Sequence, residues 1–152
     1  MRNNLSVHMD EQSRGQSMAK QAEAQRIQKL FEDLNKQPKH PFPKSGNPEA
    51  TDKHGVYVLR NAKELVVHVG RTYRGMRGIN QRLGNHLAAT SSFTKIYLKH
   101  KGSDLREGYT YQYLAVPDDR ERALLEYLAT ARNYPIHLGV HTAKAKIVKR
   151  PA

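Results

Sequence analysis

The sequence has no cysteine and no tryptophan among its 152 residues. Without cysteine there are no disulfide staples, thiolate nucleophiles or cysteine-based zinc sites, so stability has to come from a packed core, which a chain of this length can build. Nothing approaches the ~18 uninterrupted apolar residues of a membrane span, and the polar residues 1–16 lack the apolar core of a secretory signal. The expectation is a soluble, intracellular protein of the cytoplasmic bacterial or phage type, with no membrane partner. Acid is scarce as well: 14 Asp and Glu stand against 26 Lys and Arg, a formal charge of +12 with a pI near 10.0. One basic domain of this kind makes a polyanion the first partner to consider.

The charge is unevenly spread. Residues 1–54 carry nine Lys/Arg and seven Asp/Glu, whereas residues 55–152 carry seventeen against seven. Between Leu65 and Asp104 no carboxylate interrupts Arg71, Arg74, Arg77, Arg82, Lys95, Lys99 and Lys101. The planar fork of arginine is the better phosphate clamp, so this run is the candidate nucleic-acid contact.

Residues 1–16 show no periodicity and are expected to be disordered. From Ser17, an available N-cap, Ala19, Ala22, Ile27, Leu30, Phe31 and Leu34 recur near helical spacing. Their apolar stripe suits either core packing or an interface. Residues 36–54 hold Pro38, Pro41, Pro43, Pro48 and Gly46 and are expected to form an extended connector. Residues 55–60 and 65–70 are β-prone runs around a short loop, the pattern of a hairpin. A basic, glycine-punctuated loop over 71–78 leads to a helix over 79–89, on which Arg82 and His86 stand four apart. Residues 91–100 fit either a strand or a helix, and helix is preferred. Residues 109–116 alternate as a central strand. A helix begins after Pro117, with Asp118 and Asp119 where the helix dipole favours acid, and Pro135 ends it. Residues 143–148 suit a short edge strand.

Four features stand in order: Gly55, Val56 and Tyr57; then His68, Val69 and Gly70, with His68 eleven positions after Tyr57; then Arg82 and His86; then Glu126 between leucines, nine residues before Pro135. Together they resemble the GIY-YIG nuclease family, over about residues 55–138. His68 stands where that family most often has tyrosine, and Leu138 where an asparagine commonly follows the closing proline. Residues 1–54 match no element of the family. The resemblance implies an α+β fold, a small, mainly antiparallel sheet flanked by helices, here preceded by an N-terminal helical arm. The implied organisation is 1–54 (start, helix and connector), 55–142 (nuclease domain) and 143–152 (basic tail).

It further implies a metal-dependent DNA endonuclease, a phosphodiester hydrolase. Hydrolysis needs an activated water, charge stabilisation at the phosphorus and help for the departing oxygen. Glu126 is then the metal ligand for one Mg²⁺, or Mn²⁺ in its place; it is the only acid in residues 122–152. Tyr57 is the general base, its phenol pKa lowered by surrounding positive charge. Arg82 grips the scissile phosphate, His86 bonds Tyr57 or the attacking water, and His68 stands in for the second tyrosine. Arg71, Arg74, Arg77 and Lys95 hold DNA phosphates. Gly55 and Gly70 permit close backbone approach. His137 and His141 have metal-ligand spacing, but Pro135 and Gly139 argue against one continuous helix, and either could stand where the family's asparagine is missing. With no zinc finger or helix-turn-helix beside it, a compact restriction-type enzyme on double-stranded DNA, working as a homodimer held by the arm helix, is the leading expectation. The alternatives are a structure-specific repair or recombination nuclease and a non-catalytic binding module on a degenerate scaffold.

Overall fold

The computed structural model describes residues 4–139, with side chains from residue 10 onward. The chain is α+β: a four-stranded antiparallel sheet lies between two layers of helix. Helix α1 (Asn4–Lys36) is followed by β1 (His40–Pro41), β2 (Gly55–Arg60), β3 (Val66–Arg71), α2 (Gly78–Leu87), α3 (Ser92–Ile96), a 3-10 turn (Gly102–Arg106), β4 (Thr110–Ala115) and α4 (Asp119–Asn133). The strand order is β1, β4, β2, β3, so the expected hairpin of β2 and β3 forms and leaves β3 at an edge. The edge strand expected over 143–148, the tail 143–152 and His141 lie outside the described residues.

Central strand β2 is buried on both faces, and its alternation sorts the core. Val56 and Val58 face α1 and α4, packing with Ile27, Leu30, Leu34, Leu125 and Ala129. Tyr57 and Leu59 face the opposite layer, with Ile79 and Leu83 of α2, Phe93 of α3 and Leu105. The stripe of α1 is therefore core packing at Ile27, Leu30 and Leu34, while Ala19 and Ala22 are exposed. Arg120 donates to both carboxylate oxygens of Glu23 at 2.8 and 3.0 Å, and Arg26 to Glu121 at 3.3 Å, holding α1 along α4. The helix does not begin at Ser17: residues 4–16, expected to be disordered, are helical, and Ser17 lies inside the helix rather than capping it.

The proline-rich connector is laid on the domain. Its β1 pairs with β4, Phe42 is buried, and Ile79 and Asn80 donate to the carbonyls of Lys53 and Thr51 at 3.1 and 2.9 Å. Helix α4 is capped by Asp118, whose side chain accepts from the Glu121 amide at 2.8 Å, and ends at Tyr134 in the left-handed region before Pro135.

At β3 the pairing shifts register. Leu59 faces His68 while Arg60 faces Val66, so Val67 is the extra residue of a bulge. Val67 and His68 consequently both face the α2–α3 layer, and Val69 returns to the α1–α4 layer.

Candidate active site

Tyr57 is fully buried in the middle of β2, and its hydroxyl lies 2.9 Å from His86 Nε2. Behind it runs a chain of short hydrogen bonds: His86 Nδ1 to Ser91 Oγ at 2.6 Å, Ser91 Oγ to Thr94 Oγ1 at 3.0 Å, and Thr94 Oγ1 to the His86 carbonyl at 2.8 Å. The carbonyl only accepts, so the Thr94 hydroxyl proton is spent on it. Ser91 must then donate to Thr94, and its oxygen accepts from His86 Nδ1–H and from the Thr94 amide at 3.2 Å. His86, held well below its ordinary pKa by burial and then by His68 and Arg82, is neutral. It carries its proton on Nδ1 and turns the free lone pair of an unprotonated Nε2 to Tyr57, so the phenol is the donor.

Gly70 pairs with Tyr57 across the hairpin, and a Cβ there would lie 2.3 Å from the Tyr57 hydroxyl oxygen. Only glycine lets the hydroxyl sit against this strand, as expected of a close-approach glycine. Gly55 is similarly tight, a Cβ falling 2.1 Å from the Leu114 carbonyl oxygen. The expectation of a lowered Tyr57 pKa is not met. Burial pushes the phenol above its ordinary value, and Arg82, acting in the opposite sense, does not outweigh it. A charged phenolate loses more by leaving water than one neighbouring arginine returns.

His68 stacks on Phe93, ring centroids 4.9 Å apart, with His86 at 5.4 Å and His137 at 5.5 Å. Burial, then His137 and Arg82, depress it to about 3, so it too is neutral. His137 reaches this cluster because the segment after α4 runs beside the free edge of β3: Ile136 and His137 donate to the carbonyls of Val66 and Val67 at 3.3 and 2.9 Å. His68 Nδ1 and His137 Nε2 are both buried without a hydrogen-bond partner.

Around that edge opens a cleft of about 600 Å³, into which α2 and α4, from opposite layers, both reach. Arg82 comes from α2, Glu126 and Tyr127 from α4, His68, Gly70 and Arg71 from β3, and His137 from the closing segment. Arg71 Nε lies 3.9 Å from a Glu126 carboxylate oxygen, both side chains largely buried. The Arg71 guanidinium lies over the rings of Tyr73, 4.6 Å from the centroid, and Tyr127, at 5.3 Å. Arg82 Nε is buried without a partner, leaving donor capacity within the site.

Tyr57, His68, Arg82, His86 and Glu126 are thus gathered from β2, β3, α2 and α4 around one place, with Arg71 beside them. Arg74, Arg77 and Lys95 do not line the cleft. All three are exposed, and Arg77 Nε is 3.9 Å from Asp52. Among the described residues no three His, Asp or Glu side chains converge closely enough to hold a metal. Glu126 by itself suits a hard, oxygen-seeking cation that keeps water and phosphate oxygens as its other ligands, and does not suit zinc. Ser91, Thr94, Tyr73 and Tyr127 were not singled out from sequence. For Ser91 a signal existed, a serine placed to cap the short helix α3.

In comparisons with known proteins, no family model and no curated protein matches this chain.

Proposed function

We propose that this protein hydrolyses phosphodiester bonds of DNA at the β3-edge cleft, as a GIY-YIG-type nuclease. The observation that carries the proposal is the convergence of two arginines and one carboxylate from β3, α2 and α4 on a single cleft, with a buried, hydrogen-bonded tyrosine and histidine directly behind its Gly70 wall. Arg71 and Arg82 bind and orient the scissile phosphate and offset charge growing on it. Gly70 lines the cleft and lies against the buried Tyr57 hydroxyl, so on this reading the attacking water has to reach the phenol past a residue without a side chain.

The tautomer of His86 gives the Tyr57 proton a place to go. As the attacking water gives its proton to the Tyr57 oxygen, Tyr57 passes its own to His86 Nε2; the water's O–H bond breaks, the new oxygen–phosphorus bond forms, and the 3′ oxygen departs. The phenol is a proton shuttle, and His86 is the acceptor. Glu126 would hold Mg²⁺, or Mn²⁺, which supplies positive charge for the leaving oxygen. Of the two target classes, a short duplex sequence and a structural feature of DNA, the second is favoured by a specific observation, a pair of exposed tyrosines at the mouth of the cleft.

The test is Tyr57→Phe, which keeps the ring in its buried slot and removes the shuttle. Cleavage should fall by about 100- to 10,000-fold. Cutting within a few fold of wild type would remove Tyr57 from the mechanism.

A further inference from the structure

Tyr73 and Tyr127 line the cleft beside Glu126, yet they are 56% and 59% exposed, unusual for aromatic rings in a chain whose other large rings mostly sit in the core. The same Arg71 guanidinium lies over both rings. With each ring against that cation and more than half of each residue exposed, aromatic surface is available beside the proposed hydrolytic site. Resting on the DNA-hydrolase function proposed above, we infer that Tyr73, Arg71 and Tyr127 form a stacking platform for an unpaired nucleobase beside the scissile phosphate, and that the substrate class is DNA carrying an unpaired nucleotide at the cut.

A phosphate backbone needs only the arginines. In an intact duplex each base face is covered by its neighbours, so exposed rings gain nothing from it; a base that has left its stack presents a π face and loses it to water unless something covers it. Arg71 links the two tasks. Its Nε lies 3.9 Å from Glu126 while its guanidinium carbon lies over both rings.

The platform is also held in place before any substrate arrives. Thr72, directly before Tyr73, is buried: its amide donates to the Gly55 carbonyl at 3.0 Å, its hydroxyl lies 2.7 Å from His54 Nδ1, and its carbonyl accepts from Arg122 Nε at 3.0 Å. Arg122 is itself buried and donates also to the Val116 and Pro117 carbonyls at 2.9 and 3.1 Å. Tyr127 is fixed by its place on α4. Beyond Tyr73 the tip of the loop carries the exposed Arg74, Met76 and Arg77, with Met76 96% exposed, an apolar side chain between two cations that suits contact with the opened step.

The test uses the full chain without divalent cation, so that no cutting intervenes, and fluorescence anisotropy on two duplexes of one sequence, one perfect and one with a single-nucleotide bulge carrying 2-aminopurine. The bulged duplex should bind roughly 5- to 150-fold more tightly, the range one base–aromatic stack provides, and 2-aminopurine emission should be quenched on binding. Tyr73→Leu and Tyr127→Leu should bring the bulged duplex down towards the perfect one, whereas Tyr73→Phe should keep the preference, since it keeps the ring. Equal, measurable affinity for the two duplexes, or a preference untouched by both leucine variants, would overturn the platform while the hydrolase proposal stands. No binding to either duplex would overturn both.

Discussion

Ser91→Ala removes the one atom on which the proton inventory of the site depends. The serine hydroxyl accepts from His86 Nδ1 at 2.6 Å and from the Thr94 amide at 3.2 Å, and it donates to Thr94 Oγ1 at 3.0 Å. Losing the cap of α3 costs about 1 kcal/mol. Stranding a buried imidazole N–H adds about 1–3 kcal/mol, because His86 is fully buried and no water replaces the hydroxyl without new space. The expected loss is therefore about 2–4 kcal/mol, a large share of the ~5–15 kcal/mol that holds a domain of this size together. Urea unfolding should show it as a shift of roughly 1–2 M in midpoint at unchanged slope, for a slope near ~2 kcal/mol per M. Nitrogen-15 spectra of the histidine rings supply the chemical half: in the wild type, His86 should carry its proton on Nδ1 with Nε2 bare, and in the variant that preference should weaken. A loss below about 0.5 kcal/mol, or a wild-type His86 protonated on Nε2, would refute the inference that Tyr57 donates to it.

Two further outcomes follow from the same buried groups. Gly70→Ala places a carbon 2.3 Å from the Tyr57 hydroxyl and 2.5 Å from Cζ, against a fully buried ring. It should destabilise the fold by about 1–3 kcal/mol and reduce cutting beyond what the lost folded fraction explains, as measured by unfolding and plasmid cleavage on the same preparation; a stable, fully active variant would contradict the packing. His68 and His86 stay neutral in the folded chain, with His68 down at about 3, whereas both take up protons near pH ~6.5 when unfolded. The unfolded state therefore binds more protons below that pH, and stability should fall as pH drops from about 6.5, by up to ~1.4 kcal/mol per pH unit for each histidine; urea midpoints flat between about pH 7 and 4.5 would contradict the burial of both rings.

The order Tyr57, His68, Arg82, Glu126 was legible because each residue belongs to a short motif whose element is set by local pattern: β-branched alternation in β2 and β3, helical spacing in α2, an acidic first turn in α4. Their meeting was not, since it depends on β3 taking the sheet edge so that helices of opposite layers reach around it. The bulge at Val67, which turns His68 to the same layer as Tyr57, leaves no mark in a run of valines. The helical state of residues 4–16 escaped because that stretch has no apolar period to detect. Strand β1 escaped because two residues in a proline-rich run pair only when β4 is already beside them. Charge alone does not sort the cleft residues from the surface ones. Arg71 and Arg82 enter the cleft whereas Arg74, Arg77 and Lys95 do not, and a basic run in sequence carries no information about which side chains turn inward. The hydroxyls of Ser91 and Thr94 matter only because α3 folds back under His86.

The central claim is that Glu126 and the groups gathered around it cut DNA, and Glu126→Gln tests it most directly. The exchange keeps the shape of the side chain and removes the one carboxylate of the cleft, the group proposed to hold the cation. With supercoiled plasmid and Mg²⁺, the wild type should nick or linearise the DNA, and the variant, still folded and still binding DNA in a salt-sensitive manner, should leave it intact. A Glu126→Gln protein that cuts at near the wild-type rate would contradict the account.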